Sequence, residues 1–299
     1  PTQLDKFFWH RTIFDAYLLI MVLIGIVIST IIVSGGWIYF RGIERASVVR
    51  LVDNLDPGLQ SISVTNRTMP FTKDAFDKND LAIAAARTKL GELISSDGHF
   101  VRSPPVLWSR VSEEIRADSD FKYALIQRMT DIESNVIYRQ GRPPTAIVNR
   151  SGFVPIVEIS VPLERASQLS IDEGDLIEVS PSINRHGKFI AVITGLFDPI
   201  DEFSSFWSGH GEIILSPDSI VPDSPLPLPI FMNGDAIWDI TENSQIPIGV
   251  GQWFSYFDLE VLKTSRAGIV VERTDSYQKE VEKTIRRTLV LGGPRAAFK

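Results

Sequence analysis

Between Asp15 and Arg41 the chain carries no charged side chain, and most positions are Leu, Ile or Val. About 25 residues at ~1.5 Å each make ~37 Å of helix, enough to cross a ~30 Å hydrocarbon layer with some tilt. Phe7, Phe8 and Trp9 precede the run, and Trp37, Tyr39 and Phe40 close it, as aromatic residues do at membrane interfaces. Ser29, Thr30, Ser34, Gly35 and Gly36 put small residues near one end, where a second helix can approach closely. A cleaved signal peptide has an apolar core of only about 7–15 residues, and a buried soluble helix is seldom so uniformly apolar. The pattern predicts one membrane-spanning helix. Flanking charge leaves its orientation open, since Lys6 and Arg11 lie before it and Arg41, Arg45 and Arg50 after it.

The helical pattern continues from Arg41 to about Asn54, and Asp56-Pro57-Gly58 breaks it. Ile62 and Val64 alternate as a short strand. Asn79 and Asp80 open a helix with the stripe Ile83, Ala86, Leu90, Leu93 and Ile94. Ser103-Pro104-Pro105 is a break, and Val106 to Ile115 fits helix and strand alike. Phe121, Leu125, Met129 and Ile132 have helical spacing, and Gly141-Arg142-Pro143-Pro144 reads as a loop. Phe153 to Val161 alternates as a strand, Pro162 suits the first turn of a helix to Leu169, and Ile171 to Asp175 is a tight turn. Leu176 to Ser180, a polar turn at Asn184 to Gly187, and Lys188 to Phe197 form a hairpin. The prolines from Pro217 to Pro229 mark a linker or surface loop. A short helix is expected at Ile230 to Ile240 and a strand at Gly268 to Glu272. Asp275 is read as the cap of a last helix to Leu289, on which Glu282 and Arg286 pair. The soluble part is thus a mixed α+β domain.

The 299 residues are 44% hydrophobic and 22% charged, with a net charge of −7. Asp5 and Asp15 cancel Lys6 and Arg11, so residues 41–299 carry all of that charge. A nucleic-acid partner needs clustered cations to neutralise phosphates, and this balance argues against one. The chain has no cysteine, which removes disulfides, thiolate nucleophiles and Cys-ligated zinc. It does not begin with Met, and it is read as the N-terminal fragment of a longer protein.

The expected chemistry is sparse. Neither G-x-x-x-x-G-K-[ST] nor G-x-S-x-G occurs, which argues against a phosphate-cradling loop and a serine-hydrolase elbow. His10, His99, His186 and His210 are scattered and form no H-E-x-x-H. Ser208 to Glu212 reads as a glycine-rich turn before a strand Ile213 to Leu215. Asp198, Asp201 and Glu202 read as a solvated acidic loop, and Asp172, Glu173 and Asp175 as turn residues without the full calcium-loop spacing. Most of Phe203, Phe206, Trp207, Trp253, Phe254, Tyr256 and Phe257 are expected in the core. No catalytic, metal-binding or cofactor-binding residue is expected, and neither is a cofactor.

Three stretches carry a family resemblance. Val161 to Val179 (VPLERASQLSIDEGDLIEV) resembles a recurrent piece of the FtsX-like (MacB-type) ABC-transporter permeases, a helix ending in a Gly-Asp turn before a strand. Phe189 to Phe197 is similar to the strand that follows in that family, and Gly141-Arg142-Pro143 to its upstream loop. Where the family commonly has Leu-Gly, this chain has Leu169-Ser170. Later spanning helices are absent, which fits a fragment. The resemblance implies an N-terminus and spanning helix at 1–44, with the N-terminus cytoplasmic. It implies a MacB-type periplasmic-core-like ectodomain at 45–271, with a distal part inserted around 121–234, and a helix at 272–299 leading back to the membrane. It further implies a cell-membrane permease subunit that is not itself an enzyme. Its partners would be an ABC-type ATPase subunit, membrane lipids and a second permease subunit in a homo- or heterodimer. The task would be export or extraction of lipid, lipoprotein or peptide, or mechanical transmission. The alternative is the extracytoplasmic sensor domain of a transmembrane signalling receptor.

Overall fold

The apolar run forms the middle of an unbroken 51-residue helix, α1 (Gln3–Asp53). In this computed structural model the described residues are 3–111, 122–150, 152, 154–180, 187–207, 211–218, 226–241, 246–285 and 288–293. Of these, 3–19, 288, 290 and 292 are described by their backbone alone. Residues 20–40 are exposed around the whole circumference of α1, and the helix is long and apolar enough to cross a membrane. A helix with no polar face has no stable place in water, whereas a bilayer accepts it because its backbone is bonded internally. Two of its hydroxyls are satisfied in the same way: Thr30 Oγ1 donates to the Ile26 carbonyl at 2.8 Å, and Ser34 Oγ to the Thr30 carbonyl. Where the apolar run ends, the Arg41 guanidinium lies 4.8 Å from the centre of the Trp37 ring, a cation–π contact suited to an interfacial belt. The helix continues to Asp53 as the sequence predicts. Residues 1–54 form one unit and 55–299 a second.

The second unit opens with a single helical turn at Pro57–Leu59, capped by Asp56, whose Oδ1 accepts from the Gly58 N–H at 2.8 Å. There follow β1 (Ser61–Pro70), α2 (Lys73–Arg87), β2 (Ile94–Arg102), β3 (Val106–Arg110), β4 (Lys122–Met129), β5 (Val136–Gly141), β6 (Val148–Asn149) and β7 (Ile156–Pro162). Then come α3 (Leu163–Gln168), β8 (Leu176–Ser180), β9 (Phe189–Pro199), α4 (Gly211–Leu215), β10 (Leu228–Phe231) and α5 (Ala236–Thr241). The series ends with β11 (Ile248–Phe257), α6 (Leu259–Thr264), α7 (Ala267–Thr284) and β12 (Thr288–Gly292).

Six strands close on themselves. In order round the circuit they are β3, β8, β9, β7, β10 and β4, with β4 pairing β3 again. The β7–β9 and β4–β10 pairs are parallel, and the rest are antiparallel. Five of these six strands fall within residues 121–234. An antiparallel ribbon, β2–β11–β1–β12, continues from β4, whose Gln127, Arg128 and Met129 face Arg102, Val101 and Phe100 of β2.

Strand β11 feeds two cores because successive side chains point to opposite faces. Trp253 stacks on Phe76 of α2 with ring centres 5.6 Å apart and donates from Nε1 to Asp80 Oδ1 at 3.0 Å. Phe254, one residue on, joins Phe100, Phe197, Trp207 and Phe231 on the other side. Helix α7 covers the first layer beside α2 through Val270, Thr274, Tyr277 and Val281.

Several expectations need correction. Residues 122–129 are a strand and not a helix. A spacing of four is also an even number, so Leu125 and Met129 share one face of a strand as readily as of a helix, and both faces of β4 are covered. The second helix starts at Lys73, six residues before Asn79, because Thr72 Oγ1 accepts from the Ala75 N–H at 3.3 Å and caps it there. Residues 213–215 are helical. The expected helix at 230–240 divides into the end of β10 and α5. Gly268 to Glu272 is the first part of α7, with Asp275 inside the helix, since the stripe through Val270 and Tyr277 already begins there. That helix stops at Thr284, and Leu289 belongs to β12, which pairs with β1. Phe121, Phe153, Asn184, Arg286 and the Ser208–His210 stretch lie outside the described residues.

Candidate binding site

The alternation of β1 changes phase between Val64 and Met69, and the ladder slips at that point. Asn66 faces Gly251 and Met69 faces Gly249, so Arg67 and Thr68 together oppose a single residue of β11. This is a β-bulge, which bends a strand and re-aims a side chain. Asn66 Oδ1 accepts from the Thr68 N–H at 3.1 Å and holds the bulge. Arg67 is thereby turned out of the ladder into an open cleft of about 640 Å³.

Arg102, the last residue of β2, enters the same cleft from the neighbouring strand, opposite Val250 of β11. Pro104 and Pro105 follow and cannot donate to a ladder, so pairing with β4 ends at Ser103, whose N–H donates to the Ile126 carbonyl at 2.8 Å and whose Oγ accepts from the Ile126 N–H at 3.0 Å. Gly249 stands where a Cβ would overlap the Phe71 ring and sit 2.9 Å from the Arg102 carbonyl oxygen, so a side chain there would disturb this corner. Leu125, Ile213, Ile248 and Val250 give the cleft an apolar lining. Its far side is α4 with the segment Ser216 to Asp218, braced from behind by Arg165 of α3. That side chain is 2% exposed and donates from Nη2 to Ser216 Oγ at 2.9 Å and to the Pro217 carbonyl at 3.0 Å.

The electrostatics of the cleft are uneven. Burial lowers the pKa of Arg102, and the positive charge of Arg67 lowers it further. Among the described residues no carboxylate lies within 4.0 Å of either guanidinium. The acids of the cleft, Glu212 and Asp218, belong to the far side, and Asp218 acts on Arg165, favouring its charged form against burial. One end of the cleft is therefore cationic, and its lining is greasy.

A second, smaller cavity of about 230 Å³ is polar. His99 borders it, packed edge-on against Phe76 at 4.9 Å, with Nε2 buried and without a partner among the described residues. Burial first, then Arg128, pulls the His99 pKa down to about 4, so the imidazole is neutral at ordinary pH. Asn233 Nδ2 donates to Glu133 Oε1 at 2.7 Å and to the Pro144 carbonyl at 3.0 Å, closing one wall.

The acidic groups weighed from the sequence serve structure. Asp198 pairs with Arg139 at 2.9 Å, and Asp201 Oδ1 accepts from the Phe203 N–H. Asp175 Oδ2 accepts from the Asp172 N–H at 3.1 Å. Among the described residues no group of three His, Asp or Glu side chains is placed to hold a metal. Of the aromatics, Trp207, Trp253, Phe254 and Phe257 are buried, whereas Phe203 is 76% exposed. Neither Arg67 nor Arg102 stood out in the sequence. The available signal was the phase slip from Ile62 and Val64 to Met69 and Phe71.

No protein-family profile matches the sequence, and no curated protein matches it. Among solved structures, the chain is similar to a domain of a protein described as a permease from Porphyromonas gingivalis. The identity is 9% and the TM-score 0.35, over 78% of this chain and 89% of that one. It is also similar to the periplasmic region of MacB from Actinobacillus actinomycetemcomitans, at 11% identity and a TM-score of 0.37, over 81% and 94% of the two chains.

Proposed function

We propose that this chain is a permease subunit of an ABC transporter of the FtsX-like (MacB-type) class, with α1 in the cell membrane and the residues from about 45 onward outside the cytoplasm. The carrying observation is α1 itself, a charge-free apolar stretch that runs on without a break to Asp53. A helix of that kind passes displacement along its axis, because its hydrogen bonds are internal and regular. The unit α3–turn–β8 supports the class through the residues that resemble it. A separate ATPase subunit supplies the nucleotide chemistry, and its binding energy favours one arrangement of the spanning helices over another. The ectodomain converts that preference into a change of contacts with lipid, lipoprotein or peptide, and a second permease subunit completes the assembly.

The absence of cysteine makes the topology directly testable. In intact cells a membrane-impermeant maleimide is expected to label Phe203→Cys and to spare Thr2→Cys until the membrane is opened. Purification from native membranes is expected to bring down an ATP-binding subunit. Co-purification with a kinase or a methyl-accepting protein, and with no ATPase, would instead identify a sensor and end the transporter reading.

A further inference from the structure

The cleft between the bulge of β1 and helix α4 joins a pair of cations to an apolar lining. Its cationic end carries Arg67 and Arg102, drawn from adjacent positions on two strands that flank β11, with no carboxylate within 4.0 Å of either among the described residues. Like charges held side by side repel, and the ordinary remedy inside a protein is an acidic neighbour. Here the repulsion is left in place at one end of a cavity open to solvent. The rest of the lining includes Ile213 of α4 and Ile248 of β11, which are 55% and 48% exposed. At about 640 Å³, the space falls within the range of ~300–1,000 Å³ typical of small-molecule sites.

We propose that this cleft binds a single-chain anionic amphiphile, with its phosphate or carboxylate head between the guanidinium groups of Arg67 and Arg102 and its acyl chain along Leu125, Ile213, Ile248 and Val250. A guanidinium presents a planar fork of donors matched to two oxygens of such a head, and two forks account for both oxygens of a carboxylate or more of a phosphate. Glu212 and Asp218 on the far side repel a second anionic group, which fixes the head at the arginine end and disfavours ligands charged at both ends. The bulge supplies specificity: straightening β1 would return Arg67 to the ladder and leave Arg102 alone. This site stands on the cleft alone and goes beyond the transporter reading, so its success or failure leaves the identity of the partner subunit untouched.

The test uses the full chain in nanodiscs of zwitterionic phosphatidylcholine. Dodecyl phosphate is titrated below its micellar concentration and the saturable heat is read, with inorganic phosphate and dodecyl glucoside as head-only and tail-only probes. Saturable binding of dodecyl phosphate alone is expected. It should weaken about tenfold or more in Arg67→Gln, the loss of one charge-assisted contact, and also in Arg102→Gln and Ile248→Ser. Arg67 is exposed and outside the ladder, so Arg67→Gln remains informative if Arg102→Gln fails to fold. Laurate in place of dodecyl phosphate distinguishes a carboxylate head from a phosphate head. The proposal is overturned if no saturable binding occurs, if either single-feature probe binds as well as dodecyl phosphate, or if folded Arg67→Gln binds like the wild type.

Discussion

Replacing Ser170 with glycine tests the reading of the α3–turn–β8 unit at a single atom pair, Cβ and Oγ. Helix α3 is capped at Leu169, and the Ile171 N–H donates to the Ala166 carbonyl at 2.8 Å while the Ser170 N–H donates to that of Ser167 at 3.2 Å. Those two bonds make a Schellman cap, which requires left-handed backbone at the residue after the cap. Ser170 has φ +53°, a region that costs a residue with a Cβ about 1–2 kcal/mol. Glycine avoids that cost and gives back about 0.5–1 kcal/mol through the greater freedom of its unfolded chain. The Ser170 side chain is exposed, so little else is lost, and Ser170→Gly should stabilise the unit by about 0.5–1 kcal/mol. For a unit of this size that is roughly 1–4 °C in melting temperature. Heat unfolding of the full chain in nanodiscs, followed by fluorescence of the buried Trp207 and Trp253, reads it directly. Ser170→Val supplies the opposite sign, because a β-branched side chain is least tolerated at positive φ. A glycine variant that melts below the wild type, or a valine variant that melts at or above it, would refute the argument.

Three further outcomes follow from side chains already described or adjoining them. Gly195→Ala in β9 should destabilise by about 1–3 kcal/mol or more, because its Cβ would overlap the Arg142 carbonyl oxygen and approach the Tyr138 ring to 2.6 Å; urea unfolding measures the shift. Glu158 pairs with Arg142 at 2.6 Å, chiefly through that hydrogen bond, and its pKa falls from 4.5 to about 2. The pair's contribution is therefore complete above about pH 4.5 and is lost as the pH falls towards 2, so the melting curves of wild type and Glu158→Gln should converge over that interval. His99 is held neutral, with a pKa of about 4 against 6.5 when unfolded. Acidification from pH 6.5 to 4 should cost the wild type more stability than His99→Gln, measured by unfolding across that range.

What the sequence made legible was local. The strand Leu176 to Ser180 is observed with the expected ends, since alternation, a Gly-Asp turn and a following hairpin all point the same way. Ser170, which stands where the permeases this stretch resembles commonly have glycine, proved to occupy the left-handed position itself, which glycine fills without strain. Failures came where a pattern admits two periods, as at Leu125 and Met129, or where a short apolar run such as Gly268 to Glu272 lacks the length to choose. The candidate site was hidden for a different reason. Arg67 and Arg102 are 35 positions apart in the chain, and only the pairing of β1 and β2 with β11, together with a bulge, turns them toward one space. Ring closure between β4 and β10 is equally non-local and leaves no trace in either segment.

The pairing of β1 also sets a schedule for the chain as it is made. Residues 61–70 are among the first beyond α1 to be synthesised, yet their two partners are residues 248–256 and 288–292. At ~5–20 residues per second, roughly ten to forty seconds pass before the first partner exists. For that time both edges of β1 lack the partners they have in the fold, and unpaired strand edges are where extended chains associate. The ribbon β2–β11–β1–β12 therefore assembles only after nearly the whole chain has been made, with β1 waiting for strands that arrive last.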